Sequence, residues 1–195
     1  MRIAIVNDLP LAVEALRRVV GSVAGYEVAW VAADGEAAVR ACAADVPDLI
    51  LMDLMMPRMD GVEATRLIMQ RTPCAILVVT ATVGGHATKV FEAMGAGALD
   101  AVDTPALGRS GETAGAAPLL AKIAMLGRLT GRAKSRALDA LVPGAPDRAD
   151  AAGAPPLVAI GASTGGPAAL MRILGRLPRS VPAALVIVQH VDEHF

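Results

Sequence analysis

The stretch Leu49-Ile50-Leu51-Met52-Asp53-Leu54-Met55-Met56-Pro57-Arg58-Met59-Asp60-Gly61 decides the fold of the first half of the chain. Four apolar residues without polar alternation are the pattern of a strand buried on both faces, as in a parallel sheet covered by helices. The run stops at an acid, passes through a proline-bearing loop, and reaches Asp60-Gly61, where helical periodicity starts and continues through Arg71. Working outward, short apolar runs recur at Ile3–Val6, Val28–Ala32, Ile76–Val79 and Ala98–Val102. Helical patterns lie between and after them at Leu11–Val20, Glu36–Ala44 and Ala87–Met94, and Pro118 opens a fifth over Leu119–Leu129. Strand and helix alternating in short units predict a doubly wound α/β domain with five parallel strands.

The composition narrows the function. The formal net charge is -1, and no basic run has the footprint of a nucleic-acid or membrane-surface binder. No apolar stretch approaches the roughly 20 residues of a membrane span, and the N-terminal apolar run is too short for a secretory signal. The expectation is a cytoplasmic protein without nucleic-acid partners or membrane insertion. Cys42 and Cys74 stand among apolar residues with no paired spacing, and read as small buried hydrophobes. With 54% hydrophobic residues but only 2% aromatic, the core has to be packed with aliphatic side chains and methionine.

Three regions follow from the patterning: a first domain over residues 1–130, a flexible linker over 131–155, and the start of a second domain over 156–195. Ala, Gly, Pro, Arg and Asp dominate the middle region, as in Val142-Pro143-Gly144-Ala145-Pro146, and no apolar period is sustained there. Structure is expected to resume with a strand at Leu157–Ile160, a helix over Ala168–Leu177 and a second strand at Ala184–Val188. That is one βαβ unit, which cannot bury both faces of its sheet unaided.

In open parallel sheets, functional groups collect at the carboxyl ends of the strands. Those ends carry Asn7-Asp8, Asp53, Thr80 and Thr104. Asp8 and Asp53, at adjoining strand ends, are candidates to hold a hard cation such as Mg2+. Such a cation would neutralise a phosphate arriving at Asp53. The competing reading is that both acids cap helices at strand-loop junctions, and that Thr80 is a turn hydroxyl bonded to backbone. Together with Met56-Pro57, Met59-Asp60-Gly61, Gly95-Ala96-Gly97-Ala98 and Thr104-Pro105, this pattern resembles the receiver domain of bacterial response regulators. The resemblance implies a flavodoxin-like fold in which Asp53 accepts a phosphoryl group from a histidine kinase, Asp8 helps to bind Mg2+, and Thr80 senses the phosphate. Three positions depart from the family. Asn7 stands where a second acid is usual, Thr104 where lysine precedes the proline, and Ala101 where an aromatic residue is common. A lost carboxylate weakens cation binding, and a lost ammonium removes a phosphate partner.

Gly161-Ala162-Ser163-Thr164-Gly165, between strand and helix, fits the G-x-S-x-G turn that presents a serine hydroxyl above a sheet. Alternatives are a glycine-rich turn whose Ser and Thr cap the next helix, or a phosphate loop lacking the usual Gly-Lys-Ser/Thr. If the two strands are parallel neighbours, His190 reaches the same edge as Ser163 and can act as its general base. His190-Val191-Asp192-Glu193-His194 also matches the H-x-x-E-H metalloprotease pattern, which requires both histidines on one helix. His86, beside Gly84-Gly85, reads as a surface residue.

The region from Leu157 resembles the catalytic domain of the chemotaxis protein-glutamate methylesterases (the CheB family), through Gly161–Pro167 and Val188-Gln189-His190. A receiver, a linker and this domain is that family's order. The Asn7-Asp8 and Thr104-Pro105 variants, with Arg2–Ala15 and Phe91–Gly95, look most like the branch serving Wsp-type surface-sensing pathways. The resemblance implies hydrolysis of glutamate γ-methyl esters on a methyl-accepting chemoreceptor, with deamidation of glutamines sometimes alongside. Ser163 would be the nucleophile and His190 the base, with no cofactor for the esterase. The family's third triad member, an Asp, lies further along than this chain extends. The chain is therefore expected to be an N-terminal fragment without turnover of its own. The other class of reading is a non-catalytic receiver binding module with a vestigial hydrolase segment.

Overall fold

A computed structural model describes residues 1–107, 113–133, 156–178 and 180–189. The expected linker, apart from residues 131–133, and His190 lie outside the described residues. In chain order the elements are β1 (Arg2–Val6), α1 (Pro10–Gly21), β2 (Glu27–Ala32), α2 (Gly35–Ala44), β3 (Leu49–Met52), α3 (Gly61–Arg71) and β4 (Ala75–Thr80). A single 3-10 turn over Gly84–His86 leads into α4 (Ala87–Ala96), β5 (Asp100–Asp103), β6 (Ala106–Leu107), β7 (Thr113–Ala114) and α5 (Ala116–Ala133). Then come β8 (Leu157–Ala162), α6 (Gly166–Leu174) and β9 (Ala184–Gln189).

The first five strands form one all-parallel sheet in the order β2-β1-β3-β4-β5. This is the expected doubly wound, flavodoxin-like arrangement, with its switch point between β1 and β3. Although the strands read as unbroken apolar runs, their side chains divide by alternation. Ile3, Ile5, Leu49, Leu51, Leu77 and Val79 pack with Leu16, Val19 and Val20 of α1 and with Leu119, Ile123 and Leu126 of α5. Ala4, Val6, Ile50, Met52, Ile76 and Val78 face α2, α3 and α4 through Ala38, Cys42, Val62, Ile68, Val90 and Met94. Both faces are thus covered, which is why no polar alternation was visible in sequence.

Capping fixes the loops that carry function. The Asp34 side chain accepts from the Ala37 amide at the start of α2, and the Asp60 side chain accepts from Glu63 at the start of α3. Gly61 is required by close approach, because a Cβ there would stand 1.9 Å from the Asp53 carbonyl oxygen. The sequence placed the fifth strand from Ala98; it begins at Asp100. The Ala98 amide is used to close α4, donating to the Ala93 carbonyl at 3.0 Å, so the chain enters the sheet two residues later. The short antiparallel pair β6–β7 had no sequence signal, since two-residue strands carry no period.

The second region is one βαβ unit: β8 and β9 pair in parallel and α6 connects them. Leu157, Val158, Leu185, Val186, Ile187 and Val188 are exposed, so this small sheet is open to solvent. The unit leans on the receiver-like domain through α6, which packs against α4, and through the Gly165 amide, which donates to the Leu99 carbonyl at 2.8 Å.

Candidate functional site

The sheet brings one group of candidates together at the carboxyl edge of β1, β3 and β4. Val6 pairs with Met52, so the residue directly opposite Asp53 is Asn7, not Asp8 as the sequence reading had it. The Asn7 Nδ2 donates to Asp53 Oδ2 at 3.2 Å, and Asn7 Oδ1 accepts from the Leu9 amide at 2.8 Å. Asp53 is held further by its own loop: Oδ1 accepts from the Leu54 amide at 2.7 Å and from that of Met55 at 3.4 Å. Asp8 follows one residue on, half-buried, and adds negative charge at Asp53.

Burial pushes the Asp53 carboxyl above the ordinary aspartate range; the two backbone donors pull against it, Asp8 reinforces it, and His86 opposes it. His86 therefore stands within electrostatic reach of the acidic edge, although the sequence assigned it to the surface. Only the folding of the loop after β4 brings it there, and no local spacing announces that. The described lysines are engaged elsewhere: Lys89 Nζ meets Asp60 Oδ2 at 2.9 Å, and Lys122 Nζ meets Asp100 Oδ1 at 2.9 Å.

Thr80 ends β4, and its Oγ1 is buried without a hydrogen-bond partner among the described residues. A buried hydroxyl with no partner costs free energy unless a ligand satisfies it. Thr104 is tied to the same strand end by its amide, which donates to the Thr80 carbonyl at 2.8 Å. The donor set at this edge is two carboxylates and a hydroxyl, all oxygen. That suits a hard divalent cation whose remaining ligands are water and phosphate. Among the described residues no group of three or more His, Cys, Asp or Glu side chains forms a metal cluster. With Asn7 in place of an acid, Asp8 and Asp53 are the carboxylates that could hold such a cation at this edge.

The second group lies at the carboxyl edge of β8. Ser163 is exposed immediately after the strand, and Gly165 follows in the left-handed region with φ of 76°. Gly165 is the N-cap of α6, so that position offers no side chain to the helix. The turn is closed by the Gly166 amide donating to the Ser163 carbonyl at 2.7 Å. The Gln189 Nε2 also donates to the Ser163 carbonyl, at 3.1 Å. The parallel register sets Ala162 opposite Gln189. Position 163 follows directly on this last pair, and His190 lies outside the described residues.

The chain matches the family model for the response regulator receiver domain over residues 3–108 and that for CheB methylesterase over residues 158–195. The receiver fold and its carboxylate edge define a response-regulator protein. The chain belongs to the response regulator receiver family, and its last segment is similar to CheB methylesterase. It is 60% identical over all 195 residues to protein-glutamate methylesterase/protein-glutamine glutaminase 4 of Burkholderia thailandensis, covering 56% of that protein. It is 56% identical to protein-glutamate methylesterase/protein-glutamine glutaminase 3 of Pseudomonas aeruginosa, covering 57% of it. The chain thus spans little more than half the length of these relatives. Among solved structures it resembles the response regulator domain of Thermotoga maritima CheB, with a TM-score of 0.57 and 28% identity, covering 66% of this chain and 96% of that one. Among the described residues no helix is long and apolar enough to cross a membrane.

Proposed function

We propose that this chain is the receiver and the opening part of the catalytic unit of a protein-glutamate methylesterase. In this reading Asp53 is phosphorylated by a histidine kinase of a chemotaxis-like pathway, and Ser163 with His190 hydrolyses glutamate γ-methyl esters on a methyl-accepting chemoreceptor. Residues 1–130 form the receiver, 131–155 the tether, and 156–195 the start of the hydrolase. Placement in the Wsp-type branch rests on Asn7-Asp8 and Thr104-Pro105.

Asp8 and Asp53 would hold Mg2+, which when bound screens the negative charge of an incoming phosphoryl group. Asp53 presents Oδ2 as the nucleophile, since Oδ1 is held by two backbone donors and Oδ2 by the single, longer bond from Asn7. Thr80 Oγ1, buried and without a partner among the described residues, gains one in a phosphoryl oxygen. In the hydrolase, Ser163 Oγ attacks the ester carbonyl carbon while His190 takes the hydroxyl proton, and the amides at the start of α6 favour the resulting oxyanion. His190 then returns the proton to the departing methoxide, releasing methanol. Water, deprotonated by the same imidazole, releases the glutamate carboxylate and restores Ser163.

The observation that carries this reading is the β8–β9 register, Ala162 opposite Gln189, with Ser163 following the first strand and His190 the second in the sequence. The test follows methanol released from methylated receptor by a protein of the relatives' length, with and without Ser163→Ala. Loss of at least about 10^4-fold is expected, the scale on which serine triads fail; undiminished release removes Ser163 from the mechanism. The second reading, a non-catalytic binding module, is favoured by the solvent-open sheet of β8 and β9. It predicts no release from either protein, with phosphorylation of Asp53 intact.

A further inference from the structure

Cys42 and Cys74 are 32 residues apart in sequence, yet their sulfurs lie 4.0 Å apart in the fold. Cys42 sits near the end of α2, fully buried. Cys74 immediately precedes β4, half-buried, on the wall of an open cavity of about 790 Å³ that Tyr26, Asp48 and Arg128 also line. We propose that these two cysteines are a dithiol that closes to an intramolecular disulfide, a modification site on the edge of the receiver away from its carboxylates.

The geometry supports this beyond mere burial. At 4.0 Å the sulfurs are in contact, so no other group separates them. A disulfide needs about 2.05 Å, an approach of about 2 Å that a side-chain rotation supplies. Thr72 holds the inner sulfur from one side, its Oγ1 donating to Cys42 Sγ at 3.4 Å. Cys74 itself lines the cavity, through which a small reagent can approach. One thiol reachable and one thiol waiting behind it is the arrangement that converts a mixed disulfide into an internal one.

The oxidant required is a low-molecular-weight disulfide, R–S–S–R. Cys74, as thiolate, attacks one sulfur of the reagent; an S–S bond forms to Cys74 and one RS⁻ leaves. Cys42, as thiolate, attacks Cys74 Sγ; the Cys42–Cys74 bond forms and the second RS⁻ leaves. The two protons given up by the cysteines finish on two R–SH, and two electrons pass from protein to reagent. Burial, with Cys42 beside it, pushes the Cys74 thiol up, so the first attack is slow at neutral pH. It quickens about tenfold per pH unit as the thiolate fraction grows.

The bridge would tie α2 to the start of β4. Ala75, the next residue, pairs with Leu49 at the amino edge of the sheet, whereas Asp53 and Thr80 stand at the carboxyl edge. Closure therefore leaves the phosphoacceptor untouched.

The test incubates the native 195-residue chain with oxidised glutathione at about pH 8.5, where thiol exchange is brisk, then alkylates remaining thiols and maps peptides by mass. Wild type should lose two hydrogens through a Cys42–Cys74 cross-linked peptide that dithiothreitol reverses. Cys42→Ala should stop at one glutathione on Cys74, and Cys74→Ala should stay unmodified. Phosphorylation of Asp53 by a small phosphodonor should agree within about twofold between reduced and bridged protein. A stable glutathione adduct on Cys74 of the wild type, or a cross-link that forms only in denaturant, would overturn the proposal. So would wild type that keeps both thiols while Cys42→Ala captures glutathione.

Discussion

β3 and β9 are built from the same kind of residue and meet opposite fates. Leu49–Met52 is wholly buried between β1 and β4, with helices on both faces of the sheet. Ala184–Gln189 carries Leu185, Val186, Ile187 and Val188, yet Val188 is 64% exposed, and among the described residues β9 pairs with β8 alone. An apolar run therefore states what a strand needs, not what it receives. The same holds for the residues at the ends of these strands. Asp53 is fixed by Asn7, by two amides of its own loop and by the sheet on both sides. Ser163 is steadied by its glycine turn and by Gln189 from a single neighbouring strand. A site that must hold its groups to about 0.5 Å draws that precision from packing around the strands.

The widest separation between the two regions should appear in core truncation. Leu51→Ala removes a side chain with no exposure from the face against α1 and α5, and should cost about 3 kcal/mol of receiver stability. Val186→Ala, at a position 46% exposed, should change the stability of the chain by less than about 0.5 kcal/mol. Denaturant titration of both variants checks this. Equal costs would mean that the β8–β9 sheet is covered in solution and that the contrast fails.

How much of this was legible beforehand depends on what each feature rests on. The five strands and their helices were readable because Leu49–Met52 and its counterparts lack alternation and are separated by helical periods. That Asp53, Thr80 and Ser163 stand at strand ends was readable because each closes or follows an apolar run in the sequence. The register between β1 and β3 was not readable to one residue, so Asp8 was set opposite Asp53 where Asn7 stands. His86 was missed because its approach to Asp53 depends on how the loop after β4 folds. Cys42 and Cys74 were read singly, since sequence spacing says nothing of two residues brought together across α2 and β4.

A smaller effect is expected from restoring the missing cation. Both described lysines are paired with carboxylates, so the carboxyl edge meets an arriving phosphate with less positive charge than a lysine at position 104 would supply. Thr104→Lys should raise the yield of phosphorylated protein from a small phosphodonor about tenfold, the scale of one charge-assisted hydrogen bond. Labelled-phosphate incorporation with Mg2+, against an Asp53→Asn control, measures it. An unchanged yield would show that this receiver draws its positive charge from elsewhere on the edge, with His86 the first residue to replace.

The smallest effect concerns the carboxylate itself. Burial raises the Asp53 pKa above its unfolded value, so the ionised form is disfavoured in the folded chain. For a group raised on folding, the stabilising contribution is fully present below the unfolded pKa and is lost as pH rises through the folded one. Asp53→Asn removes that loss, but it also sets an amide NH₂ or a lone carbonyl against the Asn7 donor now bonded to Oδ2. The two changes partly offset at neutral pH, leaving a gain on the order of 1 kcal/mol or less. Its pH dependence identifies the cause. Relative to Asp53→Asn, the wild type should gain stability as pH falls through the folded Asp53 pKa, and the difference should level off below the ordinary aspartate range. Thermal melts of both proteins across that interval test the sign. A wild type that loses ground to the variant on acidification would mean that Asp53 is held by its donors more strongly than burial opposes it, making it a stabilising anion rather than a strained one.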